Sequence, residues 1–314
     1  MTRTTRTTRW ERFWARLLAG LLLAPNAAVA APAGENVVRG NVTITRDGAD
    51  TTVRASNRSI IEWSDFDIGA AESVRFVQPS ARARVLNRVT GPDATEIDGA
   101  LRANGIVYIV NPYGIYFGDT AVVDVAQLVA AAGEISNADF VAGVDRFTEL
   151  GGAVENLGSI ERRAVTLLGA SVANHGRVEV PNGRIWLLAG DEVIVAEHGS
   201  PIVLMLGAPA ESAPSQYAVA NTGTLDAGNR GSVRMAAGDL LSLAIHNAGT
   251  VRARDIALAG GEGSRVQVEG VLDASNAVGG PVRDGGTIDI RGDAVFVQGA
   301  VLDASGRRGG GTIH

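Results

Sequence analysis

The chain has 314 residues, no cysteine, 28 arginines, no lysine, 34 acidic residues and a formal net charge of −6. This acidic balance argues against nucleic acid and anionic membrane surfaces as the main partners. Glycine is frequent, with 40 residues, while aromatic residues make up 5% and hydrophobic residues 46%, a composition typical of thin strands and tight turns rather than thick helices.

Residues 1–30 have the pattern of a secretory signal peptide. Five arginines are followed by an apolar run from Leu17 to Ala24, and Pro25 interrupts that run. Ala28 and Ala30 supply the small side chains that a signal peptidase recognises. A membrane helix would need about 20 apolar residues, so we expect cleavage after Ala30 and export of the remainder.

The absence of cysteine leaves two explanations open. A chain that is threaded unfolded through a pore cannot carry a closed disulfide loop, and a bacterial chain can also lack cysteine by chance.

The segment 34–150 is predicted to form a series of strands. Val37 to Thr45 alternates and is followed by a turn signal at Asp47-Gly48, and Val125 to Ala132 fits either a short helix or a buried strand. Two motifs stand out within it. They are Val85–Gly91 (VLNRVTG) and Ile109–Gly118 (IVNPYGIYFG).

From residue 156 onward, one Asn-x-Gly unit recurs before an apolar strand segment. Four such units pair Asn156 with Gly158, Asn174 with Gly176, Asn221 with Gly223, and Asn247 with Gly249. Neighbouring units are 18, 47 and 26 residues apart, and the gap of 47 is about two periods. Such uneven spacings are those of a solenoid with loops of variable length. Asn and Gly tolerate the backbone angles of a sharp corner, so we interpret these residues as structural corners.

These features predict an all-β chain folded as a right-handed parallel β-helix, or solenoid, with an N-terminal cap. A β-sandwich also has short strands and frequent turns, but it would not repeat one corner sequence in phase. Three prolines interrupt the pattern between Glu197 and Ala218, so we expect a protruding loop or hairpin there. Gly309 to His314 repeats the Gly-Gly-Thr-Ile sequence of Gly285 to Ile288, with which a strand segment begins. The sequence thus stops where a new coil starts, so we expect the chain to be part of a longer protein.

The order of segments over 34–150, together with the two motifs, resembles the two-partner secretion (haemagglutination activity) domain of filamentous-haemagglutinin-type exoproteins. The family has two characteristic elements, Asn-Arg-Val and Asn-Pro-Asn-Gly, and the resemblance implies that their counterparts form a transporter-recognition or folding motif in this chain. The residues of this motif are Asn87, Arg88, Val89, Asn111, Pro112, Tyr113, Gly114 and Ile115. Tyr113 departs from the family, where Asn is usual. Because Tyr fits an ordinary type I turn, we expect the turn to persist.

The resemblance implies a partner and a place in the cell. The partner is an outer-membrane β-barrel transporter with periplasmic domains, to which an extended chain can bind by strand addition. The chain then folds into a β-helix outside a Gram-negative bacterium, secreted or at the cell surface, and acts as a monomer on a receptor of a host or neighbouring cell. Two roles stay open for the Asn motifs, which either contact the partner or only form turns.

The expected organisation is a signal peptide over 1–30, a secretion domain over 34–270 that is most specific over 34–150, and the truncated start of a repetitive adhesin β-helix over 271–314.

We expect no enzymatic activity, cofactor or metal site. The four histidines are isolated and lack metal-ligand spacing. Asp226, Asp273 and Asp303 recur in a Leu-Asp-Ala corner, which favours a structural role over a catalytic cluster. Parallel β-helices also include polysaccharide-active enzymes, so a secreted enzyme of that class is one alternative. The stem of a contact-dependent toxin is another.

Overall fold

The computed structural model describes residues 31–195, 217–238, 244–261, 263–276 and 284–314. The expected signal peptide and residues 197–216 of the expected protruding loop lie outside the described residues.

The described residues form short strands and one short helix. The elements up to the helix are β1 (Asn36–Arg39), β2 (Val42–Asp47), β3 (Asp50–Ala55), β4 (Ser59–Trp63), β5 (Ser73–Val77), β6 (Arg84–Val89), β7 (Thr95–Ile97), β8 (Ala100–Val110), β9 (Ile115–Phe117), β10 (Val122–Ala131), β11 (Glu134–Ile135) and α1 (Asn137–Ala142). The following strands are β12 (Asp145–Thr148), β13 (Ala153–Asn156), β14 (Ser159–Arg162), β15 (Ala164–Gly169), β16 (Ser171–Asn174), β17 (Arg177–Glu179), β18 (Arg184–Ala189), β19 (Val193–Val195), β20 (Val219–Asn221), β21 (Thr224–Ala237), β22 (Ile245–Asn247), β23 (Thr250–Gly260), β24 (Arg265–Val268), β25 (Val271–Asp273), β26 (Thr287–Arg291), β27 (Ala294–Val297), β28 (Val301–Asp303) and β29 (Thr312–Ile313).

The strands stack in parallel on three faces. The first face contains β5, β14, β17, β25 and β28 and the first halves of β8, β10, β21 and β23. The second face contains β4, β6, β15, β18, β26 and β29 and the second halves of the same four long strands. The third face is an eight-stranded sheet of β7, β9, β13, β16, β20, β22, β24 and β27. The predicted parallel β-helix is therefore confirmed.

The core lies inside the coils because each strand alternates inward apolar and outward side chains. Val154 and Val172, for example, are register partners on the third face, and each is 1% exposed. At the N-terminal end, β2 and β3 form an antiparallel hairpin, and β1 runs antiparallel to β4. Val42 and Ile44 pack against the first coils, so these strands form the expected cap.

A second layer covers the outside of the second face. It consists of β11, α1, β12 and β19, and its three strands form an antiparallel sheet. We call this element set the outer layer. Phe140 and Phe147 of the outer layer share a buried apolar cluster with Leu86 and Tyr108 of the second face. The outer layer was not predicted. The helix alternative for Val125 to Ala132 is wrong, since this segment belongs to β10 and the following short helix is α1.

Candidate functional site

The four Asn residues of the repeated corners form one continuous ladder. Each is the last residue of a third-face strand, and each is 0% exposed. The side-chain Nδ2 of Asn156 donates to Oδ1 of Asn174 at 2.7 Å, Asn174 donates to Asn221 at 2.8 Å, and Asn221 donates to Asn247 at 2.8 Å. The ladder therefore joins four successive coils by buried hydrogen bonds.

The Gly of each corner makes close stacking possible. A Cβ atom added to Gly176 would lie 2.2 Å from the carbonyl oxygen of Gly158, and one added to Gly223 would lie 2.1 Å from that of Gly176. Gly249 has the same relation to Gly223, at 2.2 Å. No side chain fits at such distances, so the corner needs Gly because the previous coil is in backbone contact. Backbone N–H groups of Gly176 and Gly223 donate to the carbonyl oxygens of Asn156 and Asn174, respectively, in the coil before.

The Leu-Asp-Ala corners are also structural in the described chain. Asp226, Asp273 and Asp303 each accept a hydrogen bond through Oδ1 from the backbone N–H two residues later, at 2.8, 2.9 and 2.7 Å. These contacts are Asx turns. Asp226 and Glu179 line a groove of about 290 Å³. Asp226 is held in its Asx turn, and Glu179 is bound by Arg177, so both carboxylates already have partners.

Asn87, in the first motif, lies in the middle of a strand and not at a corner. Its side chain points into the core and is 0% exposed. Oδ1 accepts a hydrogen bond from the indole N–H of Trp63 at 3.1 Å, and Nδ2 donates to the carbonyl oxygen of Tyr108 at 3.1 Å. Asn87 therefore satisfies the polar atom of the largest core side chain, and Val89 packs into the same core.

Arg88 points outward and joins the second face to the outer layer. Its Nη2 donates to the carbonyl oxygen of Ile135 at 2.6 Å, and Nη1 donates to Oδ1 of Asn137 at 2.9 Å. Carboxylate oxygens of Glu134 and Glu62 lie at 3.5 and 3.7 Å from its guanidinium nitrogens. Burial raises the pKa of Glu134, and the charge of Arg88 partly opposes that shift.

A second polar contact fixes the outer layer beside Arg88. The hydroxyl of Tyr108 donates to the Asp145 carboxylate, at 3.0 Å from Oδ1, and Arg84 lies 3.6 Å from the same atom. The Tyr108 ring also packs edge-to-face against Phe140, with ring centroids 5.2 Å apart. The outer layer is thus anchored by three residues of the second face at or next to the first motif.

The second motif forms a tight turn between the second and third faces. Asn111 is 0% exposed; its Oδ1 accepts from the backbone N–H of Tyr113 at 2.9 Å, and its Nδ2 donates to Asp93 O and Thr95 Oγ1 at 2.9 and 3.0 Å. The N–H of Gly114, whose φ is +124°, donates to the carbonyl oxygen of Asn111 at 3.1 Å. Asn, Pro and Gly at the first, second and fourth positions are the residues a type I turn favours.

The two motifs lie side by side, because Arg88 is the register partner of Val110 and the turn begins at the next residue. Ile115, after the turn, is buried in the core. Tyr113 is 59% exposed, which makes it the most accessible of the eight motif residues. The folded coils therefore bury most of the motif and present Tyr113 outward. The Asn ladder begins one coil further along the third face, where Phe117 is the register partner of Asn156.

Two classes of site are absent from the described residues. No group of three or more His, Asp or Glu side chains there is arranged to hold a metal ion. In the same parts of the chain, no helix combines the length and apolarity that crossing a membrane requires.

Comparisons with known proteins agree with this architecture. Residues 27–290 match the family model described as "TPS secretion domain". The HMW1 secretion domain from Haemophilus influenzae is similar in structure, with a TM-score of 0.72, 26% identity, and coverage of 88% of this chain and 84% of that one. The filamentous hemagglutinin secretion domain shares the fold, with a TM-score of 0.63, 15% identity, and coverage of 89% and 99%.

Two curated relatives are named "Heme/hemopexin-binding protein", both from Haemophilus influenzae. One is 31% identical over 211 residues, which cover 63% of this chain and 23% of the relative. The other is 40% identical over 106 residues, which cover 33% of this chain and 11% of the relative. The chain thus matches less than a quarter of the length of either relative.

Proposed function

The chain belongs to the family of TPS secretion domains, and on that premise we propose that it is the export address of a two-partner-secretion exoprotein, recognised by a cognate outer-membrane β-barrel transporter. Two-partner secretion takes such exoproteins across the outer membrane of Gram-negative bacteria, and the family is one of secretion domains rather than of enzymes. The observation that carries the proposal is the placement of both family motifs on neighbouring coils near the N-terminus, where they hold the coils and the outer layer together.

We propose that recognition precedes folding. In the folded chain Asn87 and Asn111 are 0% exposed and their amides are bonded internally. Their polar atoms are open to a partner only while the chain is extended. An extended segment can bind a periplasmic domain by strand addition, and later coil formation would hide the same groups. Folding outside the cell would then release the chain from its transporter and oppose its return.

The stacked architecture suits this order of events. Each coil contacts chiefly its neighbours, so folding can propagate as successive segments emerge. The N-terminal cap and the first coils, which carry the motifs, would form first and provide a template for the next strand. For the whole exoprotein we propose an adhesin-like role on a receptor of a host or neighbouring cell, after export directed by a signal peptide over 1–30.

Binding of the unfolded chain tests the proposal. The chain, held unfolded in urea and diluted into native buffer, is presented to the isolated periplasmic domains of the co-encoded transporter, and the association rate is measured before folding completes. We expect Asn111→Ala to reduce binding and Asn247→Ala, the same change at a corner outside the motifs, to leave it unaltered. Equal binding by both variants, with only refolding impaired, would show that the motif acts in folding alone.

A further inference from the structure

Three arginine side chains line one open groove on the outer surface of the first face. Arg75 of β5 and Arg102 of β8 are register partners on adjacent coils, so their side chains stand on the same side of the sheet. Both are exposed. Arg162, at the end of β14, lines the same groove, which has a volume of about 380 Å³. The groove shares no lining residue with the motif contacts described above.

The charges around the groove do not balance. Asp124 is the one carboxylate that lines it, and Arg162 binds that carboxylate through Nε and through an Nη2–Oδ2 contact of 2.8 Å. The hydrogen bond from Arg162 lowers the pKa of Asp124, and the charges of Arg162 and of Arg102, its register partner, add to that shift, so Asp124 stays ionised at neutral pH. Arg75 and Arg102 make no ion pair within the described residues. The residues that line the groove therefore carry an excess of two positive charges, and Glu161 stands beside them as the register partner of Asp124.

Two features of this arrangement are unfavourable for the chain alone. Like charges directly opposite each other on adjacent strands are destabilising, and Arg75 and Arg102 are such a pair, although Asp124 lies opposite Arg102 on its other side. Arg162 has a φ of +124°, which lies in a backbone region that residues other than Gly rarely adopt. Backbone strain of this kind clusters at functional and ligand-binding sites.

We propose that this groove binds the phosphate monoester group of a ligand. A phosphate monoester carries about −1.5 to −2 charges at neutral pH, which matches the excess of two, whereas one carboxylate would neutralise half of it. Guanidinium groups bind phosphate oxygens through paired N–H donors. The net charge of −6 repels an extended anionic surface, so a compact phosphate suits the groove better than a polyanion.

Titration calorimetry with phenyl phosphate, inorganic phosphate and acetate tests the proposal on the full chain. Saturable binding of the phosphates, absent for acetate, is expected. The double variant Arg75→Gln/Arg102→Gln should bind phenyl phosphate at least tenfold more weakly. The matched control is Arg252→Gln/Arg291→Gln, which removes two surface arginines of the same sheet that already have aspartate partners; it should bind as the native chain does.

A vesicle-binding experiment distinguishes a lipid headgroup from a soluble compound as the source of the phosphate. Sedimentation with phosphatidylcholine vesicles that contain phosphatidic acid is compared with vesicles that contain phosphatidylglycerol, which is a phosphodiester. Retention by phosphatidic acid alone indicates a lipid monoester, and calorimetric binding without retention indicates a soluble one. Thermal unfolding of each variant confirms that it is folded. No saturable binding of either phosphate, or equal binding by the two double variants, would overturn the proposal.

Discussion

Replacing Asn221 by Ala removes an interior member of the Asn ladder and should destabilise the chain more than the same change at the ladder's end. Asn221 accepts from Asn174 and donates to Asn247, so its loss leaves a buried donor and a buried acceptor without their ladder partners. A buried polar group left unpaired costs about 1–3 kcal/mol. Asn174 retains two longer contacts, of 3.3 and 3.4 Å, with backbone carbonyl oxygens. We therefore expect a loss of about 2–4 kcal/mol in the free energy of unfolding.

Asn156 provides the matched control at the ladder's end. Its Oδ1 has no hydrogen-bond partner among the described residues, and its Nδ2 donates to Asn174. Its replacement by Ala leaves Oδ1 of Asn174 without a donor and removes Oδ1 of Asn156, which was already unpaired. We therefore expect the free energy of unfolding to fall by about 1 kcal/mol. Both residues are 0% exposed, so the burial of the substituted site is the same. Urea unfolding followed by circular dichroism measures both values, and an Asn156→Ala loss equal to or above that of Asn221→Ala would refute the ladder argument.

Three further predictions concern the corners, the outer layer and a titrating carboxyl. Gly223→Ala should strongly destabilise the chain or prevent folding, because the new Cβ would lie 2.1 Å from the Gly176 carbonyl oxygen; urea unfolding measures this. Arg88→Gln should loosen the outer layer without unfolding the coils, which faster hydrogen exchange over residues 134–148 would report. Burial raises the pKa of Asp67 to about 6, against about 3.9 in an unfolded chain. The folded state therefore binds more protons between these values, and the free energy of unfolding should fall as pH rises from about 4 to 6.

Each of these predictions has a control within the chain. Gly310 has no atom within 4 Å of an added Cβ, so Gly310→Ala should be neutral, and equal losses at both glycines would contradict the stacking argument. Arg102→Gln changes an exposed arginine of the neighbouring strand β8 and should leave exchange in the outer layer unaltered. Asp67→Asn should flatten the pH dependence over the stated window, and an unchanged slope would assign it to another group.

The coils could be predicted because the signal repeats. Asn-x-Gly occurs five times in the sequence, and four of these units end strands of the same face, whereas the unit at Asn229 lies within β21. A repeated corner reports a repeated backbone geometry even when the spacing between units varies. The position of Asn87 could not be predicted in this way. Its partners, Trp63 Nε1 and Tyr108 O, lie 24 and 21 residues away in the sequence, and this set of contacts is not repeated in the other coils described.

The outer layer escaped prediction because its strands are short and its pairing is non-local. β11 has two residues, and β12 pairs with β19 across about fifty residues of chain. One local signal was available. Ser136 caps α1 by accepting from the backbone N–H of Asp139, and Gly143 ends the helix with a φ of +84°. A Ser-x-x-Asp start followed by a Gly stop is a recognisable helix signature, although it does not reveal what the helix covers.

Export in the presence and absence of the transporter is the most direct test of the central claim, that the first coils address this chain to a dedicated outer-membrane barrel. The chain is expressed in a Gram-negative host lacking such systems, alone or with the co-encoded barrel, and the amount in the medium is measured alongside a periplasmic marker. We predict accumulation in the medium only with the barrel. Equal amounts in both cultures, with the marker retained in the periplasm, would contradict the account.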